Sequence, residues 1–290
     1  MRQETSGMEK VLIAGCGYVG SRLAELLVQD GIGVWGLKRN PSSLPAGVER
    51  VPADVTDPAT LKKLPAVRFD AVVYAVSPAG RTEDAYQTAY VDGPRNVLSA
   101  VEARQSPVGR VLLVSSTGVF GFRDGRQVDE DTDPEPADST AERVLEGEGL
   151  VRSRWGGVAV RLGGIYGPGR TRTVRRVMEG KSGCPPADQY GNRIHQEDAA
   201  GALRHLLRLP DPHSLYLGVD RDPAPLREVY RWVAEQAGIA DPCAQVEEEA
   251  WLPHERRGTN KRCSNQRLLD SGYEFRYPTF RDGYRTLLGG

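Results

Sequence analysis

The chain has 290 residues and a formal net charge of −1, with 39% hydrophobic and 27% charged residues. That balance is ordinary for a globular protein and suits one large domain, or a large one with a smaller one. It offers no overall attraction to nucleic acid or to an anionic membrane, and no apolar run approaches the roughly 20 residues that span a bilayer.

Residues 1–10 are polar and lack the apolar core of a signal peptide. Met1 to Gly7 reads as a disordered extension, with Met8 as an alternative start. The four cysteines, Cys16, Cys184, Cys243 and Cys263, form no C-x-x-C pair and have no His neighbours at metal spacing. They read as free thiols of a cytoplasmic protein without a metal centre.

The first strong signal runs from Lys10 to Asp30. Val11 to Ala14 is an apolar run too short for a helix and suited to a buried strand. Gly15, Gly17 and Gly20 then give G-x-G-x-x-G. Leu23, Leu26 and Leu27 recur at helical spacing, and Gly31 marks a stop. Strand, glycine turn and helix in that order form the context of a dinucleotide site. Gly15 permits the tight turn, Gly17 lets a pyrophosphate approach the backbone, and Gly20 lets the helix pack on the strand. The N–H groups at the helix start, around Tyr18 and Val19, face the negative charge. Cys16, inside the turn, reads as a small filler.

Gly33 to Leu37 is a second strand, ending in Lys38-Arg39-Asn40-Pro41. An acidic residue here would bind a ribose 2′-hydroxyl, whereas Arg39 suits a 2′-phosphate. NADP is therefore favoured over NAD. Val48 to Pro52 is a third strand. Asp57 is placed to cap a helix begun by Pro58. Asp54, followed by Val55, reads equally as a turn residue and as an acceptor for the adenine amino group. Ala71 to Val76 is a fourth strand. The small residues at its end, Ala75 and Ser77 to Gly80, leave room for a cofactor to cross. A helical stretch follows from Glu83 to about Arg104, kinked or split at Gly93-Pro94.

Val111 to Val114 is a fifth strand, ending Ser115-Ser116-Thr117-Gly118-Val119-Phe120-Gly121. An acidic loop, Asp124 to Asp138, reads as solvated, with a lid as the alternative. A helix from Ser139 to Arg152 and a sixth strand, Gly157 to Arg161, come next, then Leu162-Gly163-Gly164-Ile165-Tyr166-Gly167-Pro168-Gly169-Arg170. Beyond Arg170 the clear strands thin out. Leu215 to Val219 is one more strand, Pro225 to Ala237 a helix, and Lys261 to Leu288 a short helix with an extended turn. The alternation predicts an α/β fold, a Rossmann-like doubly wound parallel sheet with a smaller C-terminal substrate-binding cap. Residues 8–170 form the first domain, with 193–220 returning to it, and 171–290 form mostly the cap.

The order of these motifs resembles the extended short-chain dehydrogenase/reductases, the NAD-dependent epimerase/dehydratase family. The matching pieces are Gly-Cys-Gly-Tyr-Val-Gly, Ala-Asp-Val-Thr-Asp, Val-Ser-Ser-Thr-Gly-Val-Phe-Gly, Arg-Leu-Gly-Gly-Ile-Tyr-Gly-Pro-Gly-Arg and Arg-Ile-His-Gln-Glu-Asp-Ala-Ala. They span residues 10 to about 205. The G-x-G-x-x-G spacing is similar to an atypical subgroup. The resemblance implies an oxidoreductase or epimerase-like enzyme acting on a small polar substrate, sugar-derived or carbonyl-bearing, working as a monomer or homodimer. It implies that Ser116 hydrogen-bonds the reacting oxygen and that Ser115 lies beside the nicotinamide ribose. Pro168 falls near the nicotinamide and Arg170 near the substrate. Tyr166 is commonly structural in the family and is the alternative proton donor here. His195 reads as a helix-entry residue near the substrate; with Asp198 alone it is too small a set for a metal.

The family's catalytic Tyr, with a Lys four residues later, is missing. Thr140 and Val144 fall on those positions, or Ser139 and Arg143 if the alignment shifts by one. An alkyl hydroxyl is far less acidic than a phenol. This departure motivates a second expectation, a non-catalytic NADP(H)-binding redox sensor.

Overall fold

The computed structural model describes residues 7–105, 107–244 and 259–288. Of the expected N-terminal extension, residues 1–6 lie outside the described residues.

Strands β1 (Lys10–Ala14), β2 (Gly33–Lys38), β3 (Val48–Pro52), β4 (Ala71–Tyr74), β5 (Arg110–Ser116), β7 (Val158–Leu162) and β10 (Leu215–Gly218) form one sheet in the order β10-β7-β5-β4-β1-β2-β3. The registers of β1 with β2 and β4, of β2 with β3, and of β4 with β5 are parallel. Parallel strands covered on both faces favour unbroken apolar runs. β4 (AVVY) and β7 (VAVRL) are buried at every position. From β1 the chain winds outward to β2 and β3, and from β4 outward the other way to β5 and β7. The direction reverses between β1 and β4, and in open α/β sheets ligands bind at such a reversal, beyond the carboxyl ends of the strands.

Helix α1 (Tyr18–Gln29) buries Val19, Leu23, Ala24 and Leu27, the periodic face seen in the sequence. Gly31 ends it with φ +79°, a left-handed conformation that glycine adopts freely. The stretch after β4 divides into three. Helix α2 (Glu83–Tyr86) leads into a π-helix (Gln87–Asp92), which leads into α3 (Gly93–Glu102). Pro94, which has no N–H to donate, lies where the wide π turn gives way to α3. Helix α4 (Ser139–Trp155) is capped by Asp138, whose Oδ1 accepts the Ala141 N–H at 3.0 Å. The helix expected at Pro58 does not form. Asp57 turns on itself to accept the Ala59 N–H at 2.9 Å, and a 3-10 turn, Thr60–Lys63, follows.

Four short strands escaped the sequence reading. β6 (Gln127–Val128) pairs with β11 (Arg262–Cys263), and β8 (Gly164–Tyr166) pairs with β9 (Arg193–His195). The remaining helices are α5 (Arg172–Met178), α6 (Gln196–Arg208), α7 (Leu226–Gln236), α8 (Gln266–Asp270) and α9 (Phe280–Leu288). Among the described residues no helix is long and apolar enough to cross a membrane.

The chain divides into two compact units. The first comprises residues up to Ser116, Asp138–Arg161 and Ala200–Tyr216; the second comprises Thr117–Ala137, Leu162–Ala199 and Leu217 onward. The first is centred on Leu12, Val72, Leu98, Leu113 and Val151. The second is centred on Val174, Val229, Val233, Phe280 and Tyr284. Cys184 and Cys243 are joined in a disulfide within the second unit, which corrects the free-thiol reading for these two; Cys16 and Cys263 are free and buried. Their partnership spans 59 residues of sequence, too far for spacing to reveal.

Candidate cofactor-binding site

The glycine turn sits where β1 gives way to α1. Gly15 has φ +97°, and a Cβ there would lie 2.6 Å from the Ala75 carbonyl carbon and the Val76 nitrogen. A Cβ at Gly20 would overlap the Gly15 carbonyl oxygen. These two glycines are therefore needed by the protein's own packing. Gly17 is different: a Cβ built on it meets nothing within 4 Å. It is the N-cap of α1 yet brings no side chain to the first-turn N–H groups, and that turn holds no acidic residue. The positive end of the helix dipole thus lies beside open space at the Gly17 Cβ position, an arrangement suited to a phosphate. Cys16 is buried beside the Ile13 carbonyl, and burial pushes its thiol up to about 12, so it is not a nucleophile.

The neighbouring strand ends carry the next residues. Arg39, just past β2, is exposed. Asp54 accepts from the Thr56 N–H and the Thr56 hydroxyl, each at 2.9 Å. Its carboxyl is held below the usual range, first by that backbone N–H, then by the hydroxyl and by the charge of Arg39. The Val55 carbonyl accepts from Asn96 Nδ2 at 2.9 Å. Ala75 continues the sheet for one more bond, its N–H donating to the Ala14 carbonyl at 2.7 Å, and Ser77 is exposed beyond it. Gly15, Gly17, Gly20, Arg39, Asp54 and Ala75 all belong to the first unit.

At the end of β5, Ser115 and Ser116 point to different fates. Ser115 is 3% exposed, and its hydroxyl donates to Glu148 Oε1 on α4. Arg161 on β7 closes on the same carboxylate, with Nη2 at 2.8 Å from Oε2. Ser116, the last residue of the strand, is half-buried. Sequence reasoning missed Glu148. Its signal was a pair of charges in apolar surroundings, Glu148 four residues past Val144 and Arg161 inside VAVRL. The whole of α4, Ser139–Trp155, contains neither Tyr nor Lys. Thr140 donates its hydroxyl to Asp138 Oδ1 at 2.6 Å, so it serves the helix cap.

In the second unit, Tyr166 is 5% exposed and its Oη lies hard against Gly283, where no Cβ would fit. Burial pushes its phenol well above the ordinary range. The His195 ring stands 5.2 Å from the Tyr166 ring and 4.1 Å from that of Tyr277. His195 Nδ1 accepts the Glu197 N–H at 3.2 Å, and burial lowers the imidazole to about 4, keeping it neutral. Asp198 accepts from Tyr273 Oη and from the Arg276 and Tyr277 N–H groups, so it anchors the C-terminal tail. Pro168 and Arg170 lie exposed on a turn closed by Arg170 N–H to the Gly167 carbonyl, 2.9 Å. Among the described residues no group of three or more His, Cys, Asp or Glu is placed to hold a metal ion.

This combination of a glycine turn at a sheet reversal and a serine-ended fifth strand has relatives. Residues 11–212 match the NAD dependent epimerase/dehydratase family. The chain belongs to this family. Protein YeeZ of Escherichia coli K12 is 27% identical over 285 residues, covering 93% of the chain and 97% of YeeZ. Short-chain dehydrogenase/reductase family 42E member 1 of Macaca fascicularis is 28% identical over 61% of the chain. Among solved structures, a Methylobacillus flagellatus protein provisionally assigned as an NAD-dependent epimerase/dehydratase is 38% identical, with TM-score 0.82 over 97% of this chain and 98% of that one. Bordetella bronchiseptica WbmG, solved with NAD, shares the fold at 20% identity and TM-score 0.77, over 98% and 94% of the two chains. Membership of the epimerase/dehydratase family agrees with the seven-stranded Rossmann-like sheet and with the extended short-chain dehydrogenase/reductase resemblance.

Proposed function

We propose that this chain binds a nicotinamide dinucleotide, NADP in preference to NAD, and acts as an oxidoreductase or epimerase/dehydratase-like enzyme on a small polar substrate, sugar-derived or carbonyl-bearing. The observation that carries the reading is Gly17, a helix N-cap with open space where a side chain would stand. A pyrophosphate fits against its backbone. Arg39 is exposed just past β2, in a Lys38-Arg39-Asn40-Pro41 segment that carries no Asp or Glu, which favours a 2′-phosphate over a bare ribose. The bound cofactor would supply or accept a hydride. Ser116 would hold the reacting oxygen, with Ser115 supporting it through Glu148. Mixing the full chain with NADPH should enhance and blue-shift nicotinamide fluorescence. No change with NADPH or NADH up to about 1 mM rejects the reading.

The composition of α4 favours a second reading, a redox-sensing protein that binds NADP(H) without turning it over. A panel of carbonyls and alcohols separates the two. Cofactor turnover with any of them establishes the enzyme, and tight binding without turnover, with a partner that joins only the loaded protein, establishes the sensor.

A further inference from the structure

An epimerase/dehydratase-family site without a phenol on α4 needs its proton from another element. Thr140 is committed to its cap and Tyr166 is sealed against Gly283. We propose that Tyr86 is the proton donor and acceptor of this protein, an assignment that rests on the nicotinamide reading above.

Tyr86 is the last residue of α2, where the chain passes into the π-helix Gln87–Asp92. Wide π turns are rare and are frequent at functional sites. Helix α2, a single turn, begins nine residues after Tyr74, in the connection that leaves the carboxyl end of β4, the end of the strands at which open α/β sheets bind ligands. Helix α4 runs beside it in the same direction. Arg143 of α4 donates to Gln87 Oε1 at 3.2 Å and stands 3.8 Å from Glu83, and farther along Gly147 packs against the Tyr90 backbone so closely that no Cβ would fit. Tyr86 precedes Tyr90 by four residues, about 6 Å along a helix. It is therefore level with the turn at Arg143–Val144, where the family's Lys falls, one turn past the Tyr position at Thr140.

The ring is also held. Tyr86 stacks on Tyr90 with centroids 5.7 Å apart and planes at 28°. Tyr90 is buried within the field of Glu148, and Glu148 holds Ser115 at the end of β5. The other tyrosine packed on this stretch, Tyr74, is fully buried behind Gly93 and cannot exchange protons with water. Tyr86 is half-buried and can.

The step balances. In the reducing direction the bound cofactor would supply a hydride to the substrate carbonyl carbon. The C=O π pair moves onto oxygen, the Tyr86 Oη–H bond breaks, and its proton goes to that oxygen. The phenolate then takes a proton from water. Oxidation of the alcohol is the reverse.

Limited nitration by tetranitromethane, mapped by mass spectrometry, reads the position of Tyr86 directly. The full chain is treated alone and with NADP+ at about ten times its dissociation constant, binding being followed by NADPH fluorescence displacement. Nitration of Tyr86 should fall about tenfold, the fall in unliganded protein. Tyr86→Phe, checked for folding by circular dichroism, should keep NADPH affinity and lose turnover of a carbonyl by about a hundredfold or more. Bound cofactor with Tyr86 still nitrated at the free rate overturns the assignment alone, as does undiminished turnover by Tyr86→Phe. Absence of any cofactor binding overturns the nicotinamide reading, and the assignment with it.

Discussion

Glu148 and Arg161 form a buried, two-stranded clamp: the guanidinium meets both carboxylate oxygens, and the two side chains are 2% and 3% exposed. The pair sits behind the strand that ends in Ser116, and removing one partner would leave the other charged and dry. Glu148→Ala should therefore lower stability by about 3–5 kcal/mol in urea unfolding. A loss below about 1 kcal/mol would show that the clamp is solvated and does not anchor β5.

The glycines of the opening turn should separate folding from binding. A Cβ at Gly17 meets open space, so the melting temperature of Gly17→Ala should stay near wild type while NADPH binding weakens. Gly20→Ala drives a methyl into the Gly15 carbonyl and should cost about 1–3 kcal/mol of stability. Equal melting temperatures for Gly20→Ala and wild type would contradict the packing described.

Arg39→Asp should weaken NADPH binding by at least about 1–2 kcal/mol and leave NADH affinity nearly unchanged. An unaltered NADPH affinity removes Arg39 from the 2′-phosphate site.

Asp220 is buried in the second unit, and burial pushes its carboxyl up to about 8 from 3.8. Between those values the folded protein keeps a proton that the unfolded chain has released. Stability from this group is complete below about pH 4 and is lost as pH rises toward 8. Asp220→Asn should flatten that decline relative to wild type in denaturation at pH 5, 6, 7 and 8. His195 acts with the opposite sign, since burial holds its imidazole at about 4 and the unfolded chain takes up a proton below 6.5. An unchanged wild-type slope in Asp220→Asn would show that the carboxyl is ionised in the folded protein.

The Cys184–Cys243 bridge closes a long loop, so reducing it should cost about 2–4 kcal/mol. Alkylation in denaturant without reductant should label two of the four cysteines, Cys16 and Cys263. Four labelled cysteines would mean that the pair is not bridged in the isolated protein.

The parts of the fold visible in sequence were those written in local patterns. Val11–Ala14 and Leu215–Gly218 are short runs of mostly apolar residues whose length argues for strands, and Gly31 and Gly238 stop helices by adopting positive φ. Asp57-Pro58 carried a helix-start pattern, yet the bond from Ala59 N–H to the Asp57 side chain won locally. Strands β6, β8, β9 and β11 are two or three residues long, and each exists only through a partner far along the chain. The same is true of the site. Gly15, Gly17 and Gly20 announced themselves by spacing, whereas Ser115, Glu148 and Arg161 meet only once β5, α4 and β7 are side by side.

The ladder of Gln127–Val128 with Arg262–Cys263 ties the acidic loop to the C-terminal tail, and Lys261 Nζ adds a bond to the Phe120 carbonyl at 2.8 Å. Transplanting only one of these segments from a relative would leave unmatched backbone groups on the other. Swapping specificity by segment exchange therefore requires both stretches to travel together, as a single inheritable cassette.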